Sequence, residues 1–462
     1  MALDKNKITG PLSGAEMEGL MEGLGPFEVE PHIAVAVSGG ADSLALTLLC
    51  KNWVDMRKGT VSALSVDHGL REGSTDEIKQ LGKWLMARDI EHVTLAWKGD
   101  KPGTGLQAAA RTARYSLLEN WCRRNHVLHL LLGHHQDDQA ETFLLRLAHD
   151  SGTDGLAGMS GIVEKSHVRL LRPLLTTPKE RLCATLKAVS QPWLEDPSNE
   201  NEDFERVRIR NSAPKLVGLG LTSVNICETV GRMAHMRIAL EAKASKLLAI
   251  SCSVHSAGYA CFDAAKLFSG PEEISLRAMA RALLCIGGAV YAPRVGKLER
   301  LLKKMKASHR DFDVSWKGAT LAGCRIFPLI GRSGAMTYLI CREERSLPMS
   351  IPVSSNAAIS WDNRFRLYFT GRVFAENRDT CIQPLGQIGW AGLCREIPSI
   401  QNIGVPMPVS LTLPTLVDNR GVVAVPNLNY RRVNMKIGDI DFTKAVFQPR
   451  QSLSGRGFTV AK

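Results

Sequence analysis

The alternation of apolar runs with helical patterns constrains this chain more than any single motif does. Apolar stretches rich in β-branched residues or leucine occur at 33–37 (IAVAV), 61–66 (VSALSV), 93–97 (VTLAW) and 128–132 (LHLLL). Each is followed by a segment of helical periodicity, at 42–54, 75–88, 106–125 and 137–149. A βαβα rhythm of this kind predicts a parallel sheet joined by right-handed crossovers, hence a Rossmann-like α/β domain. The polar, glycine-bearing stretches SGGADS, DHGLR and GHHQDD each stand at the carboxyl end of a strand. Those ends share the rim where open parallel sheets bind ligands, so three loops distant in sequence are expected to converge.

Beyond Pro173 the pattern turns helical, and WLEDPSN (193–199) reads as a turn-rich loop leading into the arginine-dense FERVRIRN (204–211). A mainly helical stretch runs from about 222 to 308, with LRAMARALL (276–284) amphipathic and KLERLLKKMK (297–306) strongly basic. From about 312, short strand-like runs such as TYLICR and RFRLYF alternate with glycine and proline signals. Three domains are expected: an α/β domain at 1–216, a basic helical domain at 217–311 and a small β-rich domain at 312–462.

Charge divides along the same line. Residues 1–216 hold 26 Lys and Arg against 29 Asp and Glu, whereas residues 217–462 hold 32 against 17. The second half therefore carries +15 against −3 for the first, out of a net +12, and a polyanion such as RNA would release counterions on binding it. No run approaches the ~18 apolar residues of a membrane span, and the first residues lack the order of a signal peptide. These features predict a cytoplasmic protein with no membrane partner. The eleven cysteines include no C-x-x-C pair and no zinc-like spacing, so they read as reduced, mostly buried apolar residues. A homodimer is compatible with these features and is not specified by them.

Ser38-Gly39-Gly40-Ala41-Asp42-Ser43 follows a strand and opens a helix. Glycines let the backbone close on an anion, and the helix N-terminus offers free N–H groups. This is a phosphate-binding loop, distinct from the G-x-x-x-x-G-K-[ST] loop, whose lysine it lacks. A second cluster, Gly133-His134-His135-Gln136-Asp137-Asp138-Gln139-Ala140-Glu141-Thr142, spans a strand end and a first helical turn. Asp137 and Glu141 are i,i+4 neighbours, and Asp138 and Glu141 are i,i+3. Paired acids beside a phosphate pocket either ligate Mg²⁺ or take a proton from an ammonium; acids there also complement a helix dipole, but the flanking histidines favour function. Arg111 and Arg114 lie one turn apart on the helix GLQAAARTARY, placed either for phosphate or carboxylate contacts or simply in solvent. Asp67, His68 and Arg71 stand at the end of the second strand, suited to adenine or ribose contacts or to a plain turn.

The loop resembles the PP-loop of the adenine-nucleotide alpha-hydrolase superfamily, whose members cleave ATP between the α- and β-phosphates. Across 33–211, the ordered set VSGGADS, VDHGLR, GLQAAARTARY, GHHQDDQAETFLLRL, RPLL and WLEDPSN-FERVRIRN resembles the catalytic domain of the tRNA(Ile)-lysidine synthetase family. The resemblance implies that Ser38, Gly39, Gly40, Asp42 and Ser43 hold ATP; from their places at strand ends, Asp67, His68 and His134 are expected as further nucleotide contacts. The resemblance also implies catalytic roles for Asp137 and Glu141 as an acidic pair, with Arg111 and Arg206 near the reacting groups; Asp42 is expected to join them, and Mg²⁺ is expected at Asp138 and Glu141, the sequence leaving open which of Asp137, Asp138 and Glu141 binds it. Two positions depart from the family pattern: His149-Asp150 stands where Arg-Gly is usual, and Val207 where Asn is usual.

The reaction implied is adenylylation of the wobble cytidine 2-oxygen in an isoleucine tRNA with a CAU anticodon, then attack by the ε-amine of free L-lysine. Rival readings are a tRNA thiolase, which needs a cysteine pair that is absent, an amide-forming small-molecule synthetase, which leaves the basic second half unexplained, and a non-catalytic RNA-binding protein.

Overall fold

All four apolar runs form strands: β1 (His32–Ala36), β2 (Thr60–Asp67), β3 (Glu91–Ala96) and β4 (His129–Leu132). The computed structural model describes residues 9–69, 73–99, 101–195, 202–203, 205–331, 334–353, 358–370, 380–433, 441–455 and 457–461. Two short strands, β5 (Ile162–Glu164) and β6 (Arg169–Leu171), complete a six-stranded sheet of order β3-β2-β1-β4-β6-β5. Every pairing in it is parallel except that of β5 with β6.

Both faces of this sheet are covered, which is why its central strands carry apolar residues at consecutive positions. Ile33, Val35, Ala63 and Leu131 pack under α1 (Gly14–Glu22) and α2 (Ala41–Asp55). The opposite face, with Ala34, Leu64, Leu130 and Leu132, meets Leu118 and Cys122, which lie on the helix 106–124. The chain runs outward from β1 to β2 and β3, then crosses back to place β4 on the other side of β1. The β1 and β4 loops therefore leave the sheet in diverging directions and open a crevice at their carboxyl ends, the switch point of this topology. In chain order the further helices are α3 (Ser74–Met86), α4 (Leu106–Arg124), α5 (Gln136–Ala148), α6 (Thr153–Leu156), α7 (Lys179–Ala188), α8 (Glu205–Gly218) and α9 (Ser223–Ser251).

The chain divides into two units, Met1–Ala239 with Gly457–Lys462, and Leu240–Arg456. In the second, the helical stretch expected at 222–308 contains a β-hairpin, β7 (Cys252–His255) and β8 (Tyr259–Asp263). Strand β8 pairs with the strand Met336–Arg342, so the hairpin joins an antiparallel sheet packed on helices Glu272–Gly287 and Val295–Arg310. Two further antiparallel sheets, of five and three strands, account for the β-rich character beyond residue 312. All eleven cysteines are free and none is exposed. Among the described residues no helix is long and apolar enough to cross a membrane.

Candidate active site

Gly40 caps α2 in an extended conformation and supplies no side-chain acceptor, so the first-turn amides of α2 face the loop mouth. Ser43 ties the loop together: its Oγ donates to the Gly40 carbonyl at 3.1 Å and accepts the Ser38 N–H at 3.2 Å. Gly39 has φ +91°, and a Cβ there would stand 2.5 Å from Leu194 Cδ1. The Leu194 N–H donates to the Gly39 carbonyl at 2.9 Å, so the WLEDPSN stretch begins by backing the phosphate loop. Residues 196–199 of that stretch, and Arg71, lie outside the described residues.

The second cluster meets the first through His135. As the N-cap of α5, its Nδ1 accepts the Asp137 N–H at 3.3 Å while Asp138 Oδ2 accepts the His135 N–H at 3.0 Å. Its Nε2 lies 3.4 Å from Asp42 Oδ2 and 3.6 Å from Asp138 Oδ2. Burial opposes charge on His135, but the Asp42 hydrogen bond and the charges of Asp138, Asp42 and Asp137 outweigh it and raise the pKa above the ordinary histidine value. The cap fixes the neutral tautomer with its proton on Nε2. A second proton would exchange the amide bond at Nδ1 for an ion pair with Asp137 Oδ2, 3.6 Å away. Burial likewise opposes the Asp42 charge, and His135, Lys179 and Arg210 together hold its pKa below the usual carboxylate range.

Glu141 is buried and accepts from Arg210 Nε at 2.8 Å. Burial is the larger influence and pushes its carboxyl up despite that partner. Burial, reinforced by the positive charge of Arg172, pushes His134 down to about 3, against the charge of Asp138, which leaves the imidazole neutral at pH 7. Arg172 itself is fixed by donating to the Ser160 carbonyl at 2.8 Å.

These groups bound two cavities that share His135, Lys179 and Arg210. The larger, about 790 Å³, is lined by Ser38, Gly40, Asp42 and Ser43 of the loop, by Arg111, Arg114 and Arg206, and by His134 and Asp138. The smaller, about 170 Å³, holds Asp137 and Glu141 among Leu144, Leu216, Val217 and Ile226. The acids grouped in the sequence thus divide, Asp138 facing one cavity and Asp137 and Glu141 the other. Asp67 and His68 line neither: Asp67 Oδ1 accepts the Gly69 N–H at 2.9 Å, and the His68 ring meets Trp97 edge-on. Arg206 donates to Thr142 Oγ1 at 3.3 Å. Both departures from the family pattern find places here, since His149 Nε2 lies 3.2 Å from Glu205 Oε2 and Val207 lines the larger cavity.

Sequence reasoning missed Lys179, Arg210 as the partner of Glu141, and Leu194 as the backing of the loop. Lys179 sits at the start of α7 and lines both cavities, the larger of them together with the glycine loop. Only its position just after a proline at a helix start marked it, and such a lysine is ordinary at a surface.

Residues 16–216 match the PP-loop domain family. The chain is 32% identical over 425 residues to the tRNA(Ile)-lysidine synthase of Wolbachia sp. subsp. Brugia malayi, covering 90% of this chain and 93% of that one. It is 30% identical over 444 residues to the enzyme of that name from Orientia tsutsugamushi, covering 93% and 96%. Against the Bradyrhizobium diazoefficiens protein of the same name it is 36% identical over 300 residues, covering 63% and 82%.

Proposed function

Because the chain belongs to the tRNA(Ile)-lysidine synthase family, we propose that it is an ATP-dependent ligase that converts the wobble cytidine of a CAU-anticodon isoleucine tRNA to lysidine. ATP and free L-lysine are its other substrates, and AMP and pyrophosphate leave. One observation carries this reading: a cavity built from an anion-binding loop and several cations shares a wall with an apolar cavity bearing two carboxylates. The first suits a polyphosphate and a base, the second an aliphatic ammonium.

A carbonyl oxygen on a pyrimidine is a poor leaving group until it carries AMP. Amides at the start of α2, with Lys179 and Arg206, would stabilise the pyrophosphate as it departs. His134, kept neutral, offers a hydrogen bond to the base without adding charge beside Arg111 and Arg114. Lysine's ε-amine, with a pKa near ~10.4 in water, must lose a proton before it attacks C2. Asp137 on the wall of the smaller cavity takes that proton, while Glu141 and Arg210 hold the amino acid's remaining charges.

Mg²⁺ suits the same site. Asp42 Oδ1 is a buried carboxylate oxygen with no hydrogen-bond partner among the described residues, and Asp138 lines the same cavity. Mg²⁺ binds through one or two carboxylates completed by phosphate oxygens. Bound by Asp42 and Asp138, it would neutralise phosphate charge. Glu141, committed to Arg210 and facing the smaller cavity, fits the amino acid better than the metal. Residues 217–311 and 312–462, which carry the excess positive charge, would hold the tRNA body in the cytoplasm.

The test is incubation with ATP, Mg²⁺, labelled lysine and bulk bacterial tRNA, with Asp42→Ala as control. Label entering RNA only with ATP and the intact loop supports the ligase. Good ATP binding with no label in RNA refutes lysine as the nucleophile.

A further inference from the structure

The first unit is completed by residues far along the chain. Thr459 pairs with the loop after α6: the Gly161 N–H donates to the Thr459 carbonyl at 2.9 Å, and the Thr459 N–H donates to Ser160 Oγ at 2.9 Å. Ser160 Oγ in turn donates to the Ile162 carbonyl at 2.6 Å. Beside it, the Phe458 ring lies under the Arg237 guanidinium, 4.3 Å from its carbon. Phe458 and Val460 also wall a small cavity whose other side is Gln139, Cys227 and Val230.

The loop held in this way has two further attachments, and both lead to the site. The Ser160 carbonyl accepts from the Arg172 guanidinium at 2.8 Å, and the Gly161 carbonyl accepts the Arg172 N–H at 2.9 Å. Met159 exchanges two hydrogen bonds with the Gln139 side chain, its N–H donating at 2.7 Å and its carbonyl accepting at 3.1 Å. Gln139 is buried on α5 between Asp138 and Ala140. One three-residue segment therefore fixes both the charge behind His134 and the helix that carries Asp137, Asp138 and Glu141. Gly158 lets it approach, since a Cβ there would meet Gln139 Oε1 at 2.6 Å.

We propose that Phe458 and Thr459 are positioning residues for the ligation: they strap the segment Met159–Gly161, which in turn sets Arg172 and the register of α5 against the phosphate loop. Neither touches a cavity that holds substrate, so their effect is on the geometry of groups that do. The inference rests on the ligase reading.

The experiment uses the full chain with Phe458→Ala, Thr459→Pro, which removes the strapping N–H, and Phe458→Tyr, which keeps the ring. Steady-state lysine transfer to tRNA, ATP affinity, amide hydrogen exchange and thermal unfolding are measured together. The expected result is kcat lowered about 10- to 100-fold in the first two variants. The KM for tRNA stays within about two-fold, exchange at Met159, Gly161 and Arg172 quickens, and Phe458→Tyr keeps wild-type kcat. Unchanged kcat and exchange in Phe458→Ala and Thr459→Pro overturn the strap, as does a loss of rate that only follows a loss of folded protein. If the wild type binds ATP but transfers no lysine, the ligase reading fails separately. The strap then stands or falls on whether the variants quicken exchange and weaken ATP binding.

Discussion

Alanine at Gly133 tests the packing that joins the two halves of the site. An added Cβ would stand 3.0 Å from Ser43 Cα, 3.1 Å from Ser43 N and 3.2 Å from the Asp42 carbonyl carbon. Comfortable contacts between carbons begin near ~3.5 Å, so each falls short by about 0.3–0.5 Å. All three atoms are backbone in the first turn of α2, a turn closed by the Leu44 N–H on the Gly40 carbonyl at 3.1 Å, so none can swing aside. The helix must move away from β4 as a body, at about 1–3 kcal/mol for overpacking. It carries Asp42 and Ser43 with it, and a misplacement approaching 1 Å lowers turnover by up to about 100-fold. Gly19 is the control, because a Cβ there meets nothing within 4 Å inside α1. The same substitution should stabilise by about 0.5–1 kcal/mol. Calorimetric unfolding, with about 2–4 °C per kcal/mol in a unit of this size, and ATP titration read both effects. A Gly133→Ala chain that unfolds at or above the wild-type temperature and binds ATP equally well would refute this account of the β4–α2 contact.

Arg210→Ala should leave the Glu141 carboxyl buried without its partner and raise its pKa further. Because Arg210 is half exposed, the stability loss should be only about 1–2 kcal/mol by denaturant titration, while lysine KM rises at least about tenfold. Lys179→Ala should weaken ATP binding by about tenfold with little change in stability, and Lys179→Arg should restore part of it; equal affinity in all three would remove Lys179 from the nucleotide site. Glu16 is lowered to about 2, first by the Arg181 hydrogen bond and then by the Ser13 amide. Its stabilisation is thus full above pH 4.5 and lost as pH falls toward 2. Glu16→Gln should cost about 0.5–1 kcal/mol at pH 7 and progressively less below pH 4.5, a convergence that urea midpoints at several pH values would reveal or deny.

The α/β half was legible because its signals are local and repeated. Strand runs and helical periods each fell within about two residues of β1 to β4 and of the intervening helices, and the loop chemistry at 38–43 follows from glycines placed between strand and helix. The hairpin 252–263 was hidden because β7 follows α9 without an intervening residue, so no turn signal separates them, and its pairing partner lies some eighty residues on. The division of the acids was illegible for a different reason. Helical spacing puts Asp137 and Glu141 on one face of α5, but what that face sees depends on α8, whose Arg210 is contributed by tertiary packing. Lys179 belongs to the same class, meaningful only once α7 stands beside Asp42.

The discontinuity of the first unit orders events during synthesis. Residues 1–239 emerge from the ribosome with Ser160 and Gly161 still lacking Thr459, and the intervening 240–456 must be translated before that partner arrives. A nascent chain can therefore build the sheet and the phosphate loop early, yet it reaches its finished loop at 159–161 only after the remaining unit exists. Translation that stops short would leave a fragment with a nucleotide fold whose hydrogen bonds to Thr459 are missing, which gives quality-control proteases a physical way to tell it from a chain that carries Thr459.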